Sequence, residues 1–382
     1  MLLLFSHWLK SVFPKIEHLG FFRYITVRSA LALALAFGVS MVAGPFVIRL
    51  LKRLRAGGRI RRALREGAVD VYETHAKKSG TPIMGGILIL GSVALSGVIL
   101  CDLTNSYVLI SLGMMLGFGA IGFVDDLLQI QQKDTRRKGL PAAWKLAGQL
   151  ALGALLAWLV VRFNPSPSYH VGGRTTLSAT CLCVPFFKNL YPELRWMYPV
   201  FVMLVVCATS NAVNLTDGLD GLAIGITIIT SLALAIAVYL VTRIDFATYL
   251  YFPYIKGGGD LTVILLALAG AGMGFLWFNS HPAEVFMGDT GSLAIGGLLG
   301  TIAVMVKQEL LLVIIGGIFV IEAASVIIQV ASFKLRGKRV FLMTPLHHHF
   351  EKKGWNEAKI IARFWILAAL LALLGLSTLK IR

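Results

Sequence analysis

Long stretches of uncharged, apolar residues restrict the possible folds of this chain more than any other feature. A helix that crosses a bilayer needs about 20 largely apolar residues. Six stretches of that kind contain no Asp, Glu, Lys or Arg: 29–48, 79–101, 103–124, 196–216, 221–242 and 261–280. Only 14% of the 382 residues are charged, whereas a soluble domain carries about 25%. These observations exclude a soluble globular protein, a disordered chain and a disulfide-rich secreted scaffold.

Four further stretches are shorter or contain a single charge: 146–161, 290–306, 310–333 and 364–379. Together the ten stretches predict an all-α, polytopic membrane protein with about ten transmembrane helices and a single domain over residues 1–382. The charge inside 310–333 is Glu322. Because a lone carboxylate in a membrane costs at least ~2.5 kcal/mol, we expect Glu322 to face the interior of the bundle, either protonated or paired.

The distribution of basic residues predicts the orientation of the chain in the membrane. The formal net charge is +17, and Lys and Arg are more frequent in one set of loops than in the opposite set and the termini. The basic set is 51–79, 126–143, 217–220, 281–289 and 334–360. The positive-inside rule places these loops in the cytoplasm and both termini outside, so we expect no nucleic-acid partner. Residues 51–65 fit either a helix on anionic lipid headgroups or a simple topology determinant.

Two acidic motifs lie at predicted membrane boundaries on the cytoplasmic side. Asp125 and Asp126 lie in GFVDDLLQ, at the inner end of the third predicted span. Adjacent carboxylates repel each other and are costly to desolvate, so the pair indicates a bound cation, a general base or, more simply, a solvated helix end. The second motif, NAVNLTDGLDGLA, combines Asp217 and Asp220 with glycines that let backbone N–H groups approach a ligand. Its acids could bind a metal or a ribose hydroxyl.

A third motif, WFNSHPAEVFMGDTGS, places Asp289 at the start of an apolar span. Asp289 is either the N-cap of that helix or a metal ligand that faces the aspartate pair. Asn279 and Phe286 could hydrogen-bond to a base and stack on it. Upstream, HAKKSGTPIMGG contains Lys78 and Thr81 ahead of the second span. A Lys near a helix start suits a phosphate oxygen, and it equally suits a basic cytoplasmic loop.

Three consecutive histidines, His347, His348 and His349, lie in TPLHHHFEKKGWNE. Such neighbours cannot all point in the same direction. Histidine donates to phosphate or takes part in acid–base chemistry near neutral pH, and the spacing typical of a zinc site is absent. The sequence also lacks a P-loop, a Rossmann fingerprint and a GxSxG motif. Phosphate chemistry would then depend on Mg²⁺, which takes few carboxylates together with substrate phosphates.

Together, the strings GTPIMGG, GFVDD, SNAVNLTDGLDGLA, FMGDTGS and PLHHHFEKKGW resemble the phospho-N-acetylmuramoyl-pentapeptide transferases, a family within the polyprenyl-phosphate N-acetylhexosamine-1-phosphate transferase superfamily. The resemblance extends over most of the chain to its C-terminus. It implies ten membrane helices with a cytoplasmic cleft in the inner membrane of a bacterium. It also implies Mg²⁺-dependent transfer of phospho-MurNAc-pentapeptide from UDP-MurNAc-pentapeptide to undecaprenyl phosphate, with lipid I and UMP as products, and a homodimer.

Together with the motifs, the resemblance implies roles for individual residues. The expected catalytic residues are Asp125, Asp126, Asp217, Asp289, His347, His348 and His349, with Asp289 as the magnesium ligand. The expected substrate-binding residues are Lys78, Thr81, Lys145, Asn214, Gly218, Leu219, Asp220, Asn279 and Phe286. The chain departs from the family pattern at Gln129. Family members commonly carry a Lys there, so a phosphate contact by that Lys has no counterpart in this chain.

Two other functions are compatible with parts of the sequence. A sister transferase would use UDP-GlcNAc on the same lipid, but the segment WNEAKIIARFW beside the histidines favours the pentapeptide enzyme. A nucleotide-sugar or ion transporter would carry ionisable residues deep in several spans, and only Glu322 is clearly placed in that way. For a transferase, the residues allow direct attack by the lipid phosphate or a two-step route through an aspartyl-phosphate.

Overall fold

The computed structural model describes residues 23–54, 80–131, 139–163, 168–171, 175–187 and 190–380. Its helices are α1 (Ile25–Arg53), α2 (Gly86–Leu100), α3 (Ser106–Gln131), α4 (Ala142–Phe163), α5 (Tyr198–Thr216), α6 (Leu222–Val241), α7 (Ile244–Leu250), α8 (Asp260–Asn279), α9 (Gly288–Met305), α10 (Glu309–Ile315), α11 (Gly317–Arg336), α12 (Leu346–Lys352) and α13 (Glu357–Thr378). A 3₁₀ turn, Arg195–Met197, precedes α5. Strands β1 (Ser168–Val171) and β2 (Thr175–Ser178) form an antiparallel hairpin in which Ser168 pairs with Ser178.

The all-α, polytopic prediction is confirmed. Within the described ranges, nine helices are long and apolar enough to cross a membrane, namely α1, α3, α4, α5, α6, α8, α9, α11 and α13. Helix α2 is apolar but shorter, with 15 residues. With α2, these helices account for the ten predicted spans. The predicted span 310–333 is divided into α10 and α11, because the helix is interrupted at Gly316.

Two helix boundaries differ from the prediction. Helix α3 continues to Gln131, so Asp125 and Asp126 lie inside the helix and are buried, which rules out the alternative of a solvated helix end. Helix α2 begins only at Gly86, although its uncharged stretch begins at residue 79. Apolar composition cannot detect this difference, since residues near Pro82 are as uncharged as those in the helix.

Helices α6, α8 and α9 form the centre of the bundle. Helix α8 packs against α1 and α6, and α9 packs against α3 and α5. All three central helices are apolar around most of their circumference, as expected for buried helices. Outer helices leave large apolar side chains exposed, among them Val42, Trp158, Leu335 and Leu373. Such surfaces are stable where lipid covers them.

One end of the bundle is closed by buried ionic contacts. Arg28 in α1 forms an ion pair with Asp260 in α8, with 2.7 Å between Nη1 and Oδ1. The same guanidinium donates to the carbonyl of Leu100 at the end of α2. Oδ2 of Asp260 accepts a hydrogen bond from the backbone N–H of Asp102. These contacts fix the helix ends that lie opposite the predicted site.

Candidate active site

Asp126 caps the helix that carries Asp289. Oδ1 of Asp126 accepts from the backbone N–H of Asp289 (3.1 Å), and Oδ2 accepts from the N–H and the hydroxyl of Thr290 (2.9 and 2.6 Å). A carboxylate at this position satisfies free N–H groups and complements the helix dipole. The close approach requires Gly122 in α3, where an added Cβ would clash with the backbone oxygen of Asp289.

Asp125 and Asp289 converge on the side chain of Lys145. Nζ of Lys145 lies 3.3 Å from Oδ2 of Asp125 and also donates to Oδ2 of Asp289. Oδ1 of Asp289 accepts from the amide of Asn214 at 2.7 Å. Three helices, α3, α4 and α9, therefore bring two carboxylates and one ammonium group together, and the contact of Lys145 with substrate stays a prediction.

Gln129 takes part in this arrangement from one turn further along α3. Its side-chain nitrogen donates to Oδ2 of Asp125 at 3.2 Å, and the backbone N–H of Leu140 donates to Oδ1 at 2.5 Å. The residue that departs from the family pattern thus holds Asp125 by a neutral hydrogen bond. A lysine at that position would instead add a positive charge.

A cavity of about 340 Å³ adjoins these residues. Its lining is Ile83, Asn214, Asp217, Gly218, Leu219, Asp220, Asn279, Phe286, Gly288 and Asp289. The structure therefore brings eight of the residues predicted for the site to one cavity. Ile83 and Gly288 were not predicted. Gly288 precedes Asp289 directly and has a φ of +72°, whereas Ile83 has no chemical signal that sequence reasoning could have used.

The turn between α5 and α6 supplies the acidic floor of the cavity. Burial, and then the nearby carboxylates of Asp289, Asp126 and Asp220, raise the pKa of Asp217 to about 8. A hydrogen bond from the backbone of Gly288 opposes this shift. Asp217 is therefore mostly protonated at neutral pH unless a cation binds beside it.

Asp220 belongs to a cluster with His281 and Glu357. Oδ2 of Asp220 lies 3.1 Å from Nδ1 of His281 and accepts from the N–H of Ala283 at 3.2 Å. The backbone N–H of Asp220 donates to Oε1 of Glu357 at 3.0 Å. Sequence reasoning missed His281 and Glu357 as partners of the site, although Glu357 belongs to the family-specific segment that follows the histidines.

Asn279 connects the turn to the loop before α9. Its Oδ1 accepts from the N–H of Gly221 (3.0 Å), and its Nδ2 donates to the carbonyl of Val285 (2.8 Å). These two bonds use one lone pair of Oδ1 and one N–H of Nδ2. The predicted contact between this amide and a base could use only the other lone pair and the other N–H. In this structure, the amide holds two walls of the cavity together.

The predicted motif before α2 also contributes a wall. The N–H of Phe286 donates to the carbonyl of Pro82, and the carbonyl of Phe286 accepts from the N–H of Gly85, both at 2.8 Å. The hydroxyl of Thr81 donates to the carbonyl of Ala283 at 3.4 Å. Thr81 thus supports the loop that carries Phe286. Lys78 lies outside the described residues.

The first histidine is buried between Glu322 and the turn. The N–H groups of Leu346 and His347 donate to the two carboxylate oxygens of Glu322 at 2.7 and 3.2 Å. Nδ1 of His347 lies 3.3 Å from Oε2 of Glu322, and Nε2 faces Gly218 so closely that no Cβ fits there. The expectation that Glu322 faces the interior of the bundle is confirmed, and its carboxylate accepts hydrogen bonds from two backbone N–H groups there.

The other two histidines have different partners. Nδ1 of His348 lies 2.5 Å from Oε2 of Glu351, and Nδ1 of His349 accepts from the N–H of Leu342 at 3.1 Å. Burial and the charge of Lys353 lower the pKa of His349. None of the three histidines lines the cavity, and His347 is the one that contacts its turn.

Comparison with known proteins identifies the family of this chain. Residues 108–307 match the family model described as glycosyl transferase family 4. The chain is 50% identical over 377 residues to the phospho-N-acetylmuramoyl-pentapeptide-transferase of Desulforapulum autotrophicum, covering 98% of this chain and 99% of the relative. The chain belongs to this transferase family. The resemblance read from the motifs is thereby confirmed.

The residues of this family member fit a magnesium ion. Asp125, Asp289 and Asp217 offer carboxylate oxygens, the donors that Mg²⁺ prefers, next to a cavity that can admit phosphates. Asp126 differs, because it does not line the cavity and its two oxygens bind backbone N–H groups at the start of α9, whereas Asp289 lines the cavity and its oxygens contact the side chains of Lys145 and Asn214. Mg²⁺ typically binds one or two carboxylates of the protein and takes its other ligands from substrate phosphates and water, which fits this small set of aspartates.

Proposed function

We propose that this chain transfers phospho-MurNAc-pentapeptide from UDP-MurNAc-pentapeptide to undecaprenyl phosphate, the first membrane step of peptidoglycan synthesis. The products are lipid I and UMP. The observation that carries this proposal is the convergence of Asp125, Asp289 and Lys145 beside a cavity lined by the 217–220 turn. The identity to a transferase over nearly the whole chain supports the choice of substrate.

The cavity suits the nucleotide half of the donor substrate. Phe286 offers an aromatic face for a base, and Gly218 and Asp220 offer backbone and carboxylate hydrogen-bonding groups. A nucleoside bound there directs its diphosphate toward Asp289, which lines the cavity, and toward Lys145, which contacts Asp289. The ammonium group of Lys145 then neutralises charge on the phosphates.

The reaction proceeds by direct attack of an oxygen of the lipid phosphate on the sugar-linked phosphorus. A new P–O bond forms while the bond from that phosphorus to the oxygen of UMP breaks, and UMP leaves with the electron pair. Asp125 orients the lipid phosphate and accepts its proton when it is protonated. Positioning and charge stabilisation account for most of the catalysis in phosphoryl transfer.

Asp289 is the proposed magnesium ligand, with Asp125 and Asp217 as further acids beside it. Bound Mg²⁺ supplies neutralisation of negative charge on the diphosphate. Asp126 acts as a positioning residue, because it holds the N-terminus of the helix on which Asp289 lies. His347 supports the turn from behind.

We further propose that the site faces the cytoplasm in the bacterial inner membrane. The end of the bundle that carries the site also carries exposed basic residues, among them Arg336 at the end of α11, Lys338 after α11 and Lys353 after α12. Such residues favour the cytoplasmic side. The homodimer stays a prediction from the family resemblance.

Product formation by the purified protein in detergent tests the reaction and the metal site. We expect lipid I from undecaprenyl phosphate and labelled UDP-MurNAc-pentapeptide only with Mg²⁺. We expect Asp289→Asn to lower the rate by about 100-fold or more. Asp245→Asn is the matched control, since Asp245 is an exposed acid at the opposite end.

Other results would contradict parts of this proposal. Activity with UDP-GlcNAc and none with the pentapeptide nucleotide would identify the sister transferase. Full activity of Asp289→Asn would retain the reaction but overturn the metal ligand. A phosphorylated Asp125 or Asp126 trapped during turnover would replace direct attack with a covalent route.

A further inference from the structure

A second groove lies between the end of α11 and helix α12. Its volume is about 460 Å³, and Lys334, Arg339 and Lys352 line it together with Val330, Phe333 and Leu342. None of its lining residues lines the cavity of the active site. We call it the headgroup groove. Its composition combines three cationic side chains with apolar walls.

The loop that forms one wall is fixed to α11. Oε1 of Gln329 accepts from the N–H groups of Val340 and Phe341, both at 2.9 Å, and its Nε2 donates to the carbonyl of Phe341 at 3.1 Å. The hydroxyl of Ser332 donates to the carbonyl of Lys338 at 2.9 Å. The headgroup groove is therefore built by specific hydrogen bonds to the last turns of a spanning helix.

The positive charge in the headgroup groove is not neutralised within the described part of the chain. Lys334, Arg339 and Lys352 form no ion pair there. The nearest acids along α11 and α12 are engaged elsewhere, since Glu351 contacts His348 and Glu322 is buried. Three clustered cations of this kind attract an anionic group.

The apolar surroundings identify the kind of anion. Phe333 is 57% exposed and Leu342 is 50% exposed, and Leu335 on the same helix end is 83% exposed. These side chains lie at the end of a membrane-spanning helix, where headgroups meet acyl chains. A soluble anion would leave them in water, whereas an anionic lipid covers them and also meets the cations.

We infer that the headgroup groove binds the headgroup of an anionic membrane phospholipid. The bound lipid stabilises the loop 337–344, whose Leu342 N–H donates to His349 of α12. The lipid thereby also stabilises the helix that places His347 against the active-site turn. This binding goes beyond the transfer reaction and does not depend on it.

Lipid retention tests the inference with the full chain. Protein in mixed micelles of phosphatidylcholine and phosphatidylglycerol is analysed by native mass spectrometry. We expect preferential retention of phosphatidylglycerol, and we expect Lys334→Gln/Arg339→Gln to weaken it by about 5-fold per charge removed. Arg243→Gln/Lys256→Gln, which removes two exposed cations at the opposite end of the bundle, should leave retention unchanged.

Thermal unfolding in nanodiscs provides the second readout. Addition of phosphatidylglycerol to phosphatidylcholine nanodiscs should raise the Tm of the wild type and of the control, and should do so much less for Lys334→Gln/Arg339→Gln. Equal retention by all three proteins would overturn the inference. The inference would also be wrong if Lys334→Gln/Arg339→Gln retained phosphatidylglycerol as the wild type does but had a raised KM for UDP-MurNAc-pentapeptide in phosphatidylcholine alone. That result would indicate that the headgroup groove binds a carboxylate of the substrate. The exchange variant Lys334→Arg/Arg339→Lys preserves both charges and should retain the lipid even if the neutral variant folds poorly.

Discussion

At the scale of single residues, one glycine sets how closely two helices approach each other in the site. Gly122 lets α3 cross α9 so closely that the carboxylate of Asp126 accepts a hydrogen bond from the backbone N–H of Asp289. Any side chain at residue 122 must push the backbone of Asp289 away. The position of Asp289, the proposed magnesium ligand, therefore depends on the absence of one methyl group in a neighbouring helix.

We accordingly expect Gly122→Ala to lower the free energy of unfolding by about 1–3 kcal/mol and to reduce lipid I formation. Gly113→Ala is the matched control in the same helix, because an added Cβ meets no atom within 4 Å there. That variant should be neutral or gain up to ~1 kcal/mol, since alanine favours the helix. Thermal unfolding and product assays would check both. Equal effects of the two substitutions would show that the crossing tolerates a side chain.

Asp217 leads to a prediction about pH. Its pKa is about 8 in the folded protein, against about 3.9 in an unfolded chain. Between these values the unfolded chain has lost the proton that the folded protein keeps, so the free energy of unfolding falls as pH rises. In Mg²⁺-free buffer, the Tm of Asp217→Asn minus that of wild type should increase from pH 5 to pH 8 and level off above pH 8. A difference that is independent of pH would contradict the assigned pKa.

The residues that sequence reasoning found and missed differ in a physical respect. Asp125, Asp217 and Asp289 stand out because a charge beside an apolar span needs a reason to be there. Glu357 contacts Asp220 because α13 begins beside the α5–α6 turn, and His281 contacts it because the chain leaving α8 lies beside the same turn. No local pattern records that packing, so their role becomes visible only in three dimensions.

At the scale of elements, one carboxylate fixes a short helix. Helix α12 has seven residues, too few to be stable alone, and Glu322 on α11 accepts two hydrogen bonds from its first backbone N–H groups. These bonds place His347 behind Gly218. The apolar stretch 310–333 predicted a single span, and its division at Gly316 escaped detection because glycine is as uncharged as its neighbours.

We expect Glu322→Gln to loosen α12, since the amide loses the charge and retains one acceptor oxygen for two donors. The cost should be about 1–3 kcal/mol, and hydrogen exchange at residues 346–348 should become faster while kcat falls. Glu309→Gln is the control, because Glu309 is a buried acid on α10 at the other end of the bundle. Unchanged exchange at 346–348 in Glu322→Gln would contradict the role of Glu322.

At the scale of the whole molecule, the two ends of the bundle differ in chemistry. One end carries the carboxylates, the histidine helix and the headgroup groove, and the other is closed by the Arg28–Asp260 pair. This division could be predicted from the sequence, because loops rich in Lys and Arg alternate along the chain with loops that contain fewer of them. Sequence reasoning could not predict which helices occupy the centre, because α6, α8 and α9 are as apolar as the helices that face lipid.

Cysteine labelling in intact cells tests the orientation of these ends. The four native cysteines are buried, so an impermeant maleimide should give little background. Lys256→Cys lies on an exposed loop opposite the site, and Lys338→Cys lies on an exposed loop beside it. If the site faces the cytoplasm, residue 256 should be labelled in intact spheroplasts, whereas residue 338 should be labelled only after the membrane is permeabilised. The reverse pattern would place the site outside, where UDP-linked substrates made in the cytoplasm could not reach it.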